Sequence, residues 1–363
     1  MLARRLGWVL ITLAGLSGCG GSGGESGAEE QASSSPDYLE MASGNRWTYA
    51  FSEPDNPYPQ PRYTLVKVDG PVSIEDRQVL RQTTHYLWQS LYSSSYFKQT
   101  SSQLEQHFDG SMSVYPDSLN KWTVLRLPLV SGDAYTAYDY PHLALPDGSD
   151  ADDIEESHAR RRNVVVGHAE SVTVPAGTFT NALKITVQSH AVTTSSAGGI
   201  IADINSSSEH WYVPGIGMVK QRTTQSFSST AEPTPVVDST ESVLTGYKVN
   251  GVSTDTTAPT IIQTWPANSA TVIDVTFVAI EFNEEMDPDS FSPSTLVVTD
   301  GDGHPVAGTY SAGGLSFEHG LPVGTYTAHV EGVTDALGNQ LVAPYTWSFT
   351  VVPNPCYGTT MFC

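Results

Sequence analysis

The side chains able to do chemistry in this chain are of few kinds and thinly placed. Three thiols, Cys19, Cys356 and Cys363, lie towards its two ends. Carboxylates gather in Asp147–Asp153, in Glu284–Asp289, and at Asp300 and Asp302 beside His304. Clustered oxygen donors are what a hard cation such as calcium takes. A calcium loop opening at Asp300 needs an acidic ligand at its twelfth position, where Ser311 stands, so Asp300–Gly303 reads as turn chemistry. Glu284, Glu285 and Asp287, with Asp289, Asp335 and Asn339, bring oxygen donors onto two loops. They are the calcium candidates, with turn and surface roles as the alternative. The histidines form no HExxH, and the chain holds no Walker loop and no GxSxG elbow or dinucleotide fingerprint at a strand-to-helix turn. Carboxylate pairs could hydrolyse a polysaccharide, but sequence cannot set two of them across a glycosidic bond. The expectation is a non-catalytic protein with no cofactor, calcium being the one open possibility and a polysaccharide-acting enzyme the minor alternative.

Positioning elements begin with a leader. Arg4 and Arg5 precede an apolar run from Leu6 to Leu16, the charged and apolar regions of a secretory signal and too short to span a bilayer. The run closes on Leu16-Ser17-Gly18-Cys19, which resembles a bacterial lipobox. That resemblance implies cleavage after residue 18, a diacylglyceryl group on the Cys19 sulfur, and an acylated new amino terminus, with palmitate the kind of chain expected. Gly20 rather than aspartate next implies the outer membrane in a Gram-negative host. With Cys19 lipidated, Cys356 and Cys363 remain to form a disulfide in an oxidising compartment; a metal would need further ligands. Residues 20–35 are a polar, Gly- and Ser-rich tether. The formal charge of −22 repels nucleic acid and anionic headgroups. Attachment therefore rests on acyl chains, at about 0.8 kcal/mol per buried methylene.

The length implies two domains, expected at 36–250 and 257–352 with a linker at 251–256 and a tail at 353–363. Sparse charge, abundant Ser, Thr and Tyr and short apolar runs point to an all-β protein. In the first domain Trp47, Tyr49 and Phe51 alternate onto one face. Further strands are expected at 63–68, 79–88, 96–108, 122–129, 164–174, 182–191, 209–213, 218–227 and 242–249, with short helical stretches at 118–122 and 154–160. Such a series predicts an antiparallel meander, a half-barrel or sandwich. Tyr86, Trp88, Tyr92, Tyr96, Phe97, Tyr115, Trp122, Tyr135, Tyr138 and Tyr140 are dense enough to be core or to line an apolar pocket. The phrases Gly44–Tyr49, Val174–Phe179 and Trp211–Lys220 resemble a group of poorly characterised secreted bacterial lipoproteins. The resemblance implies a β-rich domain and no activity.

The stretch 257–352 carries Thr257-Ala258-Pro259-Thr260, Trp265-Pro266-Ala267-Asn268, Ile280–Pro288, Asp335–Asn339 and Tyr345–Phe349. It resembles the SbsA-type bacterial Ig-like domain, which implies a β-sandwich used as a spacer or adhesive module. Val278, Ile280 and Phe282, and Tyr345, Trp347 and Phe349, are the expected facing inner rows. The functional expectation is a lipid-anchored envelope protein with a binding or structural role and an envelope protein or polysaccharide as partner. A carrier of a lipid or other apolar ligand is the first alternative.

Overall fold

A computed structural model of the chain describes residues 38–53, 62–88, 91–108, 121–144, 156–195 and 199–354. The chain divides into two compact units, one built from residues up to 84 with 93–252, the other from 85–92 with the residues from 253 onwards. Both are all-β. Among the described residues no helix is long and apolar enough to cross a membrane.

The first unit is one antiparallel sheet. Its strands are β1 (Arg46–Ser52), β2 (Arg62–Ile74), β3 (Arg77–Tyr86), β4 (Leu91–Gln99), β5 (Gln103–His107) and β6 (Lys121–Arg126), then β7 (Ala134–Ala144), β8 (Glu156–Val174), β9 (Gly177–Ser195), β10 (Ile200–Val213), β11 (Gly217–Ser228) and β12 (Val236–Val249). Each pairs with its neighbour in sequence, except β6 with β7, and β12 returns to pair with β1. The result is an up-and-down ring of strands, open at one seam between β6 and β7 and so nearly a barrel. A two-residue β13 (Val252–Ser253) adds to β12.

Period-two alternation sets which side chains enter the ring. Trp47, Tyr49 and Phe51 are buried, as are Val164 and Val166 on β8 and Ile185 and Val187 on β9. Between the latter pair and beyond, Thr186, Gln188 and His190 take the outward positions. Turns come where proline and glycine demand them. Pro175-Ala176 joins β8 to β9, with Gly177 at φ +143°, and Pro214-Gly215 joins β10 to β11, with Gly215 at φ +74°.

Several local expectations are corrected. The stretch 154–160 was expected to be helical, but β8 starts at Glu156, because its neighbours β7 and β9 supply ladder partners along nearly its whole length. Likewise Lys121 and Trp122 open β6 rather than close a helix. The single strand expected at 96–108 is two, broken at Thr100–Ser102, where the Thr100 hydroxyl and backbone accept and donate across the turn to Gln103. Strand β7 was not anticipated.

The second unit is a sandwich of two four-stranded sheets. One runs β14 (Ile261–Trp265), β16 (Phe277–Phe282), β19 (Gly314–Ser316), β18 (Thr309–Ser311). The other runs β15 (Ala270–Val272), β21 (Tyr345–Val351), β20 (Gly324–Val330), β17 (Leu296–Thr299). Val278 and Ile280 from one sheet and Trp347 and Phe349 from the other are buried in a common core. Tyr345 departs from its expected inner row and is exposed at the strand's start.

Candidate functional site

Two places gather polar side chains that the cores do not explain. The first joins two loops of the second unit. The backbone N–H of Asp287 donates to the Thr334 carbonyl (3.0 Å) and that of Ala336 to the Glu285 carbonyl (2.9 Å). These bonds set Glu284 beside Asp335, and carboxylate oxygens of Asp255, Glu284 and Asp335 lie within 4.8 Å of one another. Burial, then the Asp335 and Asp255 charges, raise the Glu284 carboxyl to about 7.

Of the calcium candidates, then, the structure brings Glu284 and Asp335 together, with Asn339 on Asp335, and adds Asp255, which the sequence did not point to. Glu285 and Asp287 lie outside that group. Asp287 Oδ1 accepts the Asp289 backbone N–H (3.1 Å), capping a short 3-10 turn at Pro288–Ser290. Glu285 is exposed, and its backbone carbonyl serves the Ala336 N–H. Asp335 itself is buried and accepts twice from Asn339, at 2.8 Å from the backbone N–H and 2.7 Å from Nδ2. Asp300 also serves a turn: its Oδ1 accepts from the backbone N–H of Asp302 (3.0 Å) and His304 (2.9 Å).

The second place is the inward face of the first unit. Here the three sequence phrases meet. Trp47 Nε1 donates to the Ile216 carbonyl (2.6 Å) and the Tyr49 hydroxyl to the Met218 carbonyl (2.9 Å), tying β1 to the β10–β11 hairpin. Asn45 Nδ2 donates to the Glu40 carbonyl, while its Oδ1 accepts the Asn250 backbone N–H, both at 2.9 Å. The Ala176 N–H reaches the Leu244 carbonyl (3.0 Å). On the opposite, outward face Trp211 donates through Nε1 to Glu170, and its ladder partner Lys184 lies over its ring at 5.1 Å. The phrases are the fastenings of the ring, which accounts for their residue types without a ligand.

Further along the same face the lining turns polar. Arg162 stands in the inward row of Val164 and Val166, and His210 in that of Ser208 and Tyr212; all are buried. Ser208 has a partner, the Thr223 hydroxyl at 2.9 Å. Arg162 Nε and Nη2 and both His210 ring nitrogens have none. Burial, reinforced by the Arg162 charge, lowers His210 to about 3, so it is neutral. Burial also lowers the Arg162 guanidinium, opposed by the hydroxyls of Tyr138, Tyr212 and Tyr135. Arg160, Arg161 and Arg162 are part of β8, and Arg161, facing outward, pairs with Asp139 at 3.6 Å. Cys19, Cys356 and Cys363 lie outside the described residues.

Residues 255–351 match the bacterial Ig-like domain, and residues 145–226 match a DUF3108-like family. The second match holds two of the three phrases, Val174–Phe179 and Trp211–Lys220. No curated protein matches the chain. Among solved structures, a Bacteroides fragilis protein described as exported and of YmcC-like fold is similar at 15% identity and a TM-score of 0.27, over 57% of this chain and 96% of that one. A Parabacteroides distasonis protein described as a lipoprotein is similar at 16% and 0.30, over 59% and 99%.

Proposed function

We propose that the chain is an exported, lipid-anchored protein of the cell envelope, non-catalytic, whose Ig-like unit is a spacer or adhesive module for an envelope protein or polysaccharide. What supports this most directly is a pair of separate β-cores in series, the second matching a bacterial Ig-like domain, behind a leader that ends in Leu16-Ser17-Gly18-Cys19. Acyl chains on Cys19 hold the acidic body at the bilayer, in the outer membrane of a Gram-negative host, and Cys356 and Cys363 close a disulfide in the tail. Cys19→Ser should move the protein from the membrane to the soluble fraction; retention in the membrane refutes the anchor. Deleting 257–352 should abolish adhesion and leave membrane attachment intact; unchanged adhesion removes the Ig-like unit from that role.

One observation favours a second reading, a carrier with its ligand inside the first unit. Natural interiors leave few polar atoms unpaired, yet Arg162 and His210 are sealed in this one without hydrogen-bond partners for four nitrogens between them.

A further inference from the structure

Arg162 is 5% exposed and His210 1%. A buried guanidinium is normally met by a carboxylate, since its desolvation is otherwise uncompensated. Here the groups acting on its charge are tyrosine hydroxyls, and Tyr138 alone among them bonds to it. Elsewhere the same sheet shows the ordinary solution. Glu105, also buried, is met by Lys121 Nζ at 2.6 Å, His107 Nε2 at 3.0 Å and Gln103 Nε2 at 2.6 Å.

The location of Arg162 matters as much as its lack of a counter-charge. Its ladder partner on β7 is Tyr138, and β7 borders the seam where no ladder joins it to β6 among the described residues. Side chains span that seam. The Tyr135 hydroxyl accepts the Arg126 backbone N–H (2.8 Å), and Arg126 Nη2 reaches the Thr136 carbonyl (3.4 Å). The Trp122 ring of β6 stacks on Tyr138 at 5.1 Å, and Tyr138 on Tyr140 at 5.6 Å. Parting two strands that share no ladder breaks few bonds, and it exposes an aromatic wall leading to a fixed cation with no counter-charge and two nitrogens without acceptors.

We propose that the interior behind the β6–β7 seam binds an amphipathic oxyanion, an acyl or alkyl chain ending in a carboxylate or phosphate. Arg162 holds the head, and Trp122, Tyr138 and Tyr140 lie along the chain. This rests on the carrier reading and names its ligand. The guanidinium fork matches carboxylate and phosphate oxygens with two parallel donors, and Nε with Nη2 is one edge of that fork. The neutral His210 adds a donor without competing for the anion. The rings suit the apolar body, which inorganic phosphate would leave unused.

The test uses the full chain carrying Cys19→Ser, titrated by calorimetry and by tryptophan fluorescence, with every amphiphile below its micelle concentration. The probes are dodecanoate, dodecyl phosphate, dodecanol and inorganic phosphate. Both amphipathic anions should bind, at least about tenfold tighter than dodecanol or inorganic phosphate, as a charge-assisted contact gives. Arg162→Met should bring their affinity down to that of dodecanol and leave the melting temperature unlowered, because an apolar side chain replaces an unpaired buried charge. Equal binding of dodecanol and dodecanoate overturns the oxyanion site and leaves the carrier reading standing. Binding of no probe overturns both. Inorganic phosphate binding as tightly as dodecyl phosphate overturns the role of the aromatic wall. If Arg162→Met does not fold, the dodecanoate–dodecanol comparison in the unsubstituted chain decides alone.

Discussion

Glu284 should make the second unit less stable as the pH rises through the range in which most proteins are indifferent to it. Its carboxyl is raised from 4.5 to about 7, by partial burial and by the nearby charges of Asp335 and Asp255. Between those values the folded unit holds a proton that the unfolded chain has released. Stability is therefore complete below about pH 4.5, falls as the pH climbs to about 7, and levels off above it. At about 1.4 kcal/mol per pH unit the whole shift is worth about 3 kcal/mol. Glu284 is only partly buried, and solvent screening reduces this to about 1 kcal/mol. For a domain of about 100 residues that is roughly 4–8 °C in Tm. Glu284→Gln keeps the shape and removes the titration. It should match the unsubstituted chain at pH 4 and exceed it by that margin at pH 8, by scanning calorimetry of the full chain. A carboxyl-carbon NMR titration reads the group directly. An apparent pKa near 4.5, or a Gln variant equally stabilised at both pH values, refutes the reasoning.

Calcium at millimolar concentration should leave the Tm of the second unit within about 1 °C, since Asp335 already accepts twice from Asn339 and calcium takes about six to eight oxygen ligands; a rise of several degrees by calorimetry would restore the site. Tyr49→Phe should cost about 1–2 kcal/mol in urea unfolding, because it strips a donor from the Met218 carbonyl inside the core. That difference should shrink above about pH 10, because burial holds the Tyr49 hydroxyl well above its usual range, so the unfolded chain ionises first; an unchanged difference at pH 11 would refute it. Gly313→Ala should destabilise the β18–β19 hairpin by about 1–3 kcal/mol. The glycine sits at φ +76° with an added Cβ only 2.8 Å from the Ile280 carbonyl, and no loss in Tm would show that the hairpin yields.

Rows and turns were legible in the sequence because each is local. Trp47-x-Tyr49-x-Phe51 states an inner face by its period, and Pro175-Ala176-Gly177 states a turn by the dihedrals it permits. What stayed hidden depended on distant partners. Strand β7 contains Pro141 and bulges at two places, so its alternation is broken and only β8 completes it. The turn at Thr100–Ser102 has neither glycine nor proline and closes through a threonine hydroxyl. Asp255 joins Glu284 and Asp335 from a linker whose course no spacing predicts. Arg162 was the most concealed. Composition reads Arg160-Arg161-Arg162 beside acids as a solvated run, although parity with Val164 and Val166 already placed the third arginine inward. His210, in step with Ser208 and Tyr212, carried the same sign.

The first unit holds two buried ionic arrangements, and the contrast between them bears on what each is for. Glu105 is surrounded by Lys121, His107 and Gln103. Burial would raise its carboxyl, but those bonds outweigh it and hold the group low, as expected of a network that is complete in itself. Removing Lys121 leaves the buried carboxylate without its cation, and removing Glu105 strips Lys121, His107 and Gln103 of their shared acceptor, so both substitutions should destabilise. Arg162 has no such set: two of its nitrogens lack acceptors, and its neighbours are neutral hydroxyls and a neutral imidazole. Replacing it with an apolar residue removes a desolvation cost and breaks only the Tyr138 contact. The two sites should thus respond oppositely to the loss of charge, Glu105→Leu lowering the Tm and Arg162→Met holding or raising it. A sheet that gains stability by losing an arginine keeps that arginine for something outside its own fold.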